Sequence, residues 1–446
     1  MKARLAVLLF SVFLAVASVG LARREQGEEQ GKQQPAQNNP YYLPSQQFKT
    51  RFENKNGSIE VLEQFDKLSE HLQFLQDYRI VRYRTRPGTV VLPHHSDAEY
   101  LLIVTNGSAI VKVYTEAEDK HPPLILNQFA ALRVPAGAII YTINSGGSQR
   151  DEDLELIKLA LPQNNPGQFQ DLYPTGNFAP SSFYEVFSKK TLQAAFNAEY
   201  EEIKEALWGP EQWKNELIVE LSPKKLRSLT KDAKSSSSEG PHVPLTSLGP
   251  VPLRDIKPIY LNDYGSFHEA RPSNKYPSLK NLGVGASYLN LSKGSLFLPH
   301  YNPKAIILAY VASGEGQNEM GSPYPINKQE QQQQEGYIER LEAKVSSGDL
   351  YIIPAGYPVA VSASENSKLK VVEFILNAES NTRSFLTGNE DNVLKNIDPT
   401  LLSKTPQKLE KLLNQQSRSF FVKREEQPSE EDKSTRKANR VAWSSF

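Results

Sequence analysis

"GTVVLPHH", residues 88–95, and "GSLFLPHY", residues 294–301, are the stretches on which the fold turns. Each has a glycine, then apolar residues, then Leu-Pro-His, and the Leu-Pro-His triplets lie 206 residues apart. A second matched pair follows: "RVPAGAII" at 133–140 and "IIPAGYPV" at 352–359, offset by 219. Upstream, "FENKNG" at 52–57 returns as "YLNDYG" at 260–265. The chain therefore carries one unit twice. The additional residues of the second copy fall in "GQNEMGSPYPINKQEQQQQEGYIE", which reads as a polar, Gln-rich loop insertion over 315–337.

Between the motifs stand short apolar runs such as "YRIVRYRT", "EYLLIVT", "AIVKVY" and "LELIKLAL". They are rich in Val, Ile, Leu and Tyr. Turn signals at Pro87-Gly88, Asn106-Gly107 and Gly146-Gly147 separate them. Closely spaced strands of this kind predict a β-sandwich or barrel. Two similar units in one chain predict packing about a pseudo-twofold axis. After each strand set comes a helical stretch. In "SKKTLQAAFNAEYEEIKEALW", Leu192, Ala195, Phe196, Ile203 and Leu207 fall on one face of a helix. That stripe suits either the chain's own barrel or another subunit. In "DNVLKNIDPTLLSKTPQKLEKLLNQQ", Asp398-Pro399 and Thr405-Pro406 each read as an N-cap followed by proline at the first helical position.

Composition narrows the class. Lys and Arg total 51, as do Asp and Glu, so net charge points to neither nucleic acid nor an acidic membrane. There is no cysteine and there are only two methionines. Asn and Gln together make up roughly an eighth of the chain, a nitrogen-rich, sulfur-poor balance. At the start, Lys2 and Arg4 precede an apolar run from Leu5 to Val19, with Gly20 and Ala22 placed for signal peptidase. The run is about 15 residues where a membrane span needs about 20. The expectation is a secretory signal over 1–22 and no membrane span. Three N-glycosylation sequons suit that route, at Asn56, Asn106 and Asn290.

The histidines raise the question of a metal. The first motif, with Gly88, His94, His95 and Glu99, and the second, with Pro135, Gly137 and Asn144, resemble the two motifs of the cupin superfamily. The chain is thus similar to a bicupin, which implies a mainly β fold. It would consist of two jelly-roll (cupin) β-barrels related by pseudo-twofold symmetry, each followed by a helical arm. In cupin enzymes the resemblance implies two histidines one residue apart and a glutamate from the first motif, with a third histidine from the second. Such a set suits Mn, Fe or Cu. Here Ser96 stands where the second histidine belongs and Ile140 where the third does. His95 neighbours His94 on a strand, so the two point to opposite faces. The second copy keeps His300 but has Asn302 and Val359 at the matching positions and no glutamate. His94, Glu99 and His300 therefore read as vestigial, with no metal, no cofactor and no catalytic residue expected. His71, His121, His242 and His268 are scattered in polar contexts, and no Cys nucleophile, GxSxG, P-loop or dinucleotide fingerprint is present.

"NPYYLPSQQFKTRFENKNGSIEVLEQF", "GSLFLPHYNPKAIIL", "SSGDLYIIPAGYPVAVSASEN" and "FLTGNEDNVL", in that order, resemble the vicilins, the 7S globulin class of plant seed storage protein. The resemblance implies a nutrient reservoir without an active site, held in the protein storage vacuole of the seed. It also implies a homotrimer whose helical arms, near 186–208 and 390–415, meet neighbouring subunits. Its other partners would be the proteases of processing and germination, with no nucleic acid. The expected organisation is a signal peptide at 1–22, a polar Gln/Glu-rich segment at 23–45 and an N-terminal cupin with arm at 46–230. A Ser/Gly/Pro-rich linker at 231–252, a C-terminal cupin with arm at 253–420 and a charged disordered tail at 421–446 follow. Two other readings stand beside storage: a vicilin-like protein binding sucrose or another small ligand, and a metal-dependent bicupin of oxalate-type chemistry.

Overall fold

The computed structural model describes residues 39–115, 122–146, 152–175, 182–208, 216–237, 248–324, 326 and 338–424. The expected signal peptide, most of the polar segment after it, most of the Gln-rich insertion, nearly all of the C-terminal tail, and His121 and His242 lie outside the described residues.

The strands form four antiparallel sheets, two per barrel. In the first barrel, one sheet runs Val251–Pro252, Ala130–Val134, Ala98–Asn106, Leu154–Pro162, Arg79–Thr85, Gly57–Leu62 and Phe48–Asn54. The facing sheet has Thr89–Ser96 and Ile139–Asn144 at its centre. The second barrel repeats the plan, with Leu369–Leu376 in place of Leu154–Pro162 and Ser295–Tyr301 in place of Thr89–Ser96. The Leu-Pro-His motifs thus lie in matching strands and the Pro-Ala-Gly motifs in matching turns, and the mainly β, two-barrel fold read from them is what forms.

Alternation assigns the faces. Leu156 and Lys158 point into the first barrel, while Glu155, Ile157 and Leu159 point the other way. That second face is not solvated. Ile103 and Ile157 share a core with Leu308 and Phe374 of the second barrel. Phe129 stacks on Tyr288 at 4.3 Å between ring centroids. Tyr310 Oη donates to Glu155 Oε1 at 2.6 Å within the seam. The two large sheets are therefore hydrophobic on both sides, which explains why their strands read as near-continuous apolar runs.

The barrels also exchange edge strands. Tyr42–Leu43, which leads into the first barrel, pairs with Leu350–Ile353 of the second (Tyr42 opposite Tyr351). Val251–Pro252, which leads into the second, pairs with Ala130–Val134 of the first (Val251 opposite Ala131). Each exchange covers an edge that would otherwise present unpaired backbone groups. Asp349 secures one of them, accepting from Tyr42 Oη at 2.9 Å, Ser45 N at 2.9 Å and Ser346 N at 2.8 Å.

Outside the first barrel, a helix over Pro223–Ser237 lays Leu226, Leu229 and Ala233 on Val90, Ile110 and Ile143. The same three sheet positions in the second barrel are Leu296, Gln317 and Ser362. Two polar residues there need no apolar cover. The helix begins before the stretch read as a linker and runs into it. Glu315–Ser322, at the start of the stretch read as an insertion loop, is a strand.

The arms hold one correction. The first is not one helix but two, Lys189–Phe196 and Tyr200–Trp208, broken at Asn197 with φ +49°. Ser188 caps the first by accepting from Thr191 N at 3.2 Å. The two pack on each other through Leu192, Ile203 and Trp208. The second arm is Pro399–Leu402 and Pro406–Gln415. Asp398 caps the former by accepting from Thr400 N at 2.9 Å, whereas Thr405 makes no side-chain cap bond.

Candidate functional site

The interior of each barrel is where a cupin would hold its metal. In the first, Pro93 and His94 stand in the second half of the strand Thr89–Ser96, and His94 lies opposite Ile140. His94 is buried, and its Nδ1 donates to the Leu92 carbonyl at 2.8 Å. In the neutral ring that bond leaves Nε2 unprotonated and facing the interior. Burial lowers the ring's pKa and outweighs Asp171, which pulls it upward. His95 is on the opposite face, packed on Phe183 at 5.5 Å. Ser96 is buried and its Oγ donates to the Gln170 carbonyl at 3.4 Å.

Glu99 does not join this group. It pairs with Arg133 on the other face of its strand, and Tyr100 is the residue that turns inward. The position that fills the barrel is one not singled out from the sequence. Lys158 is buried with its ammonium 3.6 Å from Asp171. Nζ lies 3.9 Å from the ring centroid of Tyr100, 4.8 Å from Phe169 and 5.7 Å from Tyr83. An ammonium over aromatic faces is held by their quadrupoles. Burial lowers the Lys158 pKa, against the pull of Asp171. For Asp171 burial works to raise the carboxyl, but Lys158, His94 and Arg51 together hold it below its ordinary value. What space remains between His94, Thr142, Tyr100 and Lys158 is a cavity of about 20 Å³, room for a single water.

In the second barrel His300 is oriented identically: its Nδ1 donates to the Leu298 carbonyl at 2.8 Å. It lies opposite Val359. Rings of Phe297 and Phe385 stand 4.5 and 5.6 Å from it. Burial, reinforced by Arg383, pushes its pKa down to about 3. Asn302 is buried and its Oδ1 accepts from Asn381 Nδ2 at 3.0 Å. Glu373 is the fifth residue of its strand, as Lys158 is of its own, so the two are counterparts. Asp171 lies opposite Ser96, and Arg383 precedes the pair Ser384–Tyr301, which puts it opposite Asn302. The second barrel thus carries Glu373 and Arg383 where the first carries Lys158 and Asp171. Arg383 is buried over the Phe267 ring at 4.1 Å and reaches Glu269 at 3.5 Å. Glu373 accepts from Ser287 Oγ at 2.5 Å, and burial raises its pKa against Arg383.

This donor set does not fit a cupin metal. Each barrel keeps one histidine. The other positions hold Ser96, Ile140, Asn302 and Val359, the carboxylate has turned away, and a resident cation, Lys158 or Arg383, fills the centre of charge. Among the described residues no three His, Asp or Glu side chains converge. Of the remaining histidines, the buried His268 donates from Nδ1 to the Ile256 carbonyl at 2.8 Å, and His71 contacts Tyr41 edge-on at 6.4 Å. Lys158 was legible only as a lysine inside an apolar run, "LELIKLAL", at an inward register position.

Two jelly-roll barrels back to back, each with a helical arm and a filled metal position, define a bicupin. The cupin family model matches residues 252–407. Conglutin beta 1 of Lupinus albus is 38% identical over 92% of this chain and 79% of that protein. Conglutin beta 4 of Lupinus angustifolius is 39% identical over 86% of this chain, which spans 66% of that relative's length. Among solved structures, the vicilin of hazelnut, Corylus avellana, is 30% identical with a TM-score of 0.75, over 86% of this chain and 99% of that one. The chain belongs to the vicilin family of 7S globulins.

Proposed function

We propose that this chain is a seed storage protein, a nutrient reservoir that holds nitrogen and amino acids for germination and catalyses no reaction. Its similarity to the lupin conglutins and to hazelnut vicilin supports the reading. The observation that carries it is the filling of both barrels. His94 faces Ile140 and Lys158, and His300 faces Val359 and Phe385. In the first barrel Ile140 and the Lys158 ammonium leave a cavity of about 20 Å³, too small for a substrate, and in the second Val359 and Phe385 stand against His300. Nitrogen is stored as side-chain amides and guanidinium groups, in a chain that also folds compactly.

The working form is a homotrimer joined through the arms. Val186, Phe187 and Phe196 of the first arm and Leu401, Leu402 and Leu412 of the second are exposed in the single chain. Apolar surface of this extent at both ends suits a head-to-tail contact that closes into a ring. The destination is the protein storage vacuole, reached through the secretory pathway, and the other partners are processing and germination proteases. Among the described residues no helix is long and apolar enough to cross a membrane. The test is a time course of the protein in its own plant. Storage requires abundance in the mature seed and loss during germination. Steady low levels in leaf and seedling would overturn it.

A further inference from the structure

We propose that Asn106 carries an N-linked glycan and that the other two sequon asparagines, Asn56 and Asn290, do not. The proposal rests on the secretory route given above. Sequence alone ranks the three sequons equally. The fold separates them.

Asn56 is only 6% exposed. Its Nδ2 donates to the Ile218 carbonyl at 3.0 Å, and Asn54 Nδ2 donates to the same oxygen at 2.8 Å. These two amides clamp the strand Ile218–Glu220, which returns to pair with Thr89–Val91. A sugar on Asn56 Nδ2 has no exit, and it displaces the strand that closes the first barrel's outer sheet. Asn290 lies within the strand Val284–Leu291, flanked by Ser266 and Lys370 on both neighbouring strands. It shares a face with Tyr288, which stacks on Phe129 across the seam between barrels. Asn290 is half-buried, as Asn106 is, but it is paired on both sides and its Oδ1 is buried against the sheet. A glycan rooted there starts in the middle of a three-strand ladder, beside Lys370, whose ammonium lies 5.9 Å from the Phe129 ring of the seam.

Asn106 is different. It ends the strand Ala98–Asn106, and Gly107 (φ +74°) turns the chain away immediately after it. A Cβ at residue 107 would meet the Asp153 carbonyl oxygen at 2.8 Å, so the turn requires glycine. Asn106 is half-buried, and its Nδ2 donates to that same carbonyl at 2.8 Å in a contact at the protein surface. In the transfer, Nδ2 attacks C1 of the first N-acetylglucosamine of a lipid-diphosphate oligosaccharide. The C1–O bond breaks, the lipid diphosphate leaves with the electron pair, and Nδ2 gives up one proton. The glycosylated amide keeps one N–H, the number that its bond to Asp153 needs.

The experiment expresses the full chain in plant cells with residues 1–22 replaced by an established secretion leader. Folded protein is isolated by gel filtration and treated with peptide N-glycosidase in heavy-oxygen water. Each asparagine that bore a glycan then becomes a mass-tagged aspartate in the peptide map. The expected result is a tag at position 106 alone, with Asn106→Gln abolishing the glycosidase-sensitive mobility shift while the protein stays folded. A tag at 56 or 290 in the folded fraction, or an untagged Asn106, overturns the proposal. A parallel chain with its own residues 1–22 reads the secretory route separately, by whether that leader is removed.

Discussion

Lys158 and Glu373 occupy the same position in the two barrels, one a base and the other an acid, and Asp171 and Arg383, which also occupy matching positions, are exchanged in the opposite sense. What both solutions preserve is a cation buried among aromatic rings beside a neutral histidine. The function retained is filling and neutralising the barrel interior, and its consequences are energetic.

Removing Lys158 leaves Asp171 buried without its counter-charge. Lys158→Met should lower unfolding stability by about 3–5 kcal/mol, measured by urea denaturation. The double variant Lys158→Met/Asp171→Leu should recover most of that loss, because replacing both partners leaves no stranded charge. A single variant as stable as the parent would show that the pair is not needed.

His300 makes stability depend on pH. Its folded pKa, about 3, lies below the ordinary histidine value near 6.5, so the unfolded chain binds the proton more readily. Stability from this group is complete above pH 6.5 and is lost as pH falls toward 3, by roughly 5 kcal/mol in total. Glu373, whose pKa is raised, contributes with the opposite sign: it favours the folded chain as pH falls. Denaturation at pH 7 and at pH 4.5 should show the decline, and His300→Gln should flatten it. An unchanged slope in that variant would assign the acid sensitivity elsewhere.

Asp349 pins the exchanged edge strand. Asp349→Ala strands the Ser45 and Ser346 amides and should cost about 2–3 kcal/mol. Hydrogen exchange provides the local readout: the Ile352 amide, which donates to the Tyr41 carbonyl at 2.8 Å, should lose protection before the core strands do.

The helix over Pro223–Ser237 covers an apolar sheet face on one barrel only. Leu226→Asp/Leu229→Asp should expose Val90, Ile110 and Ile143 and produce binding of a hydrophobic dye at neutral pH. No dye binding by a folded double variant would mean that the face is covered in another way.

The two-barrel fold was legible because its evidence is repeated. Leu-Pro-His and Pro-Ala-Gly recur at matching places. The seam between barrels erased the expected alternation but left continuous apolar runs. The exchanged edge strands, Tyr42–Leu43 and Val251–Pro252, are two residues each and carry no period at all. Asn197, which breaks the first arm, fits a helical stripe as well as a left-handed turn until its backbone is seen. At the site, the inward position of His94 and the outward position of His95 followed from strand geometry. Glu99 did not: it could serve as the carboxylate although its spacing is short by a residue or two, but its register sends it to Arg133. Lys158 was hidden because a lysine in an apolar strand reads first as its solvated edge.

On the function proposed above, the retained histidines serve packing and not chemistry. Elemental analysis of the purified full-length chain, isolated without chelator, tests it most directly. Mn, Fe and Cu should lie far below stoichiometric amounts. One tightly held transition metal per barrel, lost on substituting His94 or His300, would contradict it.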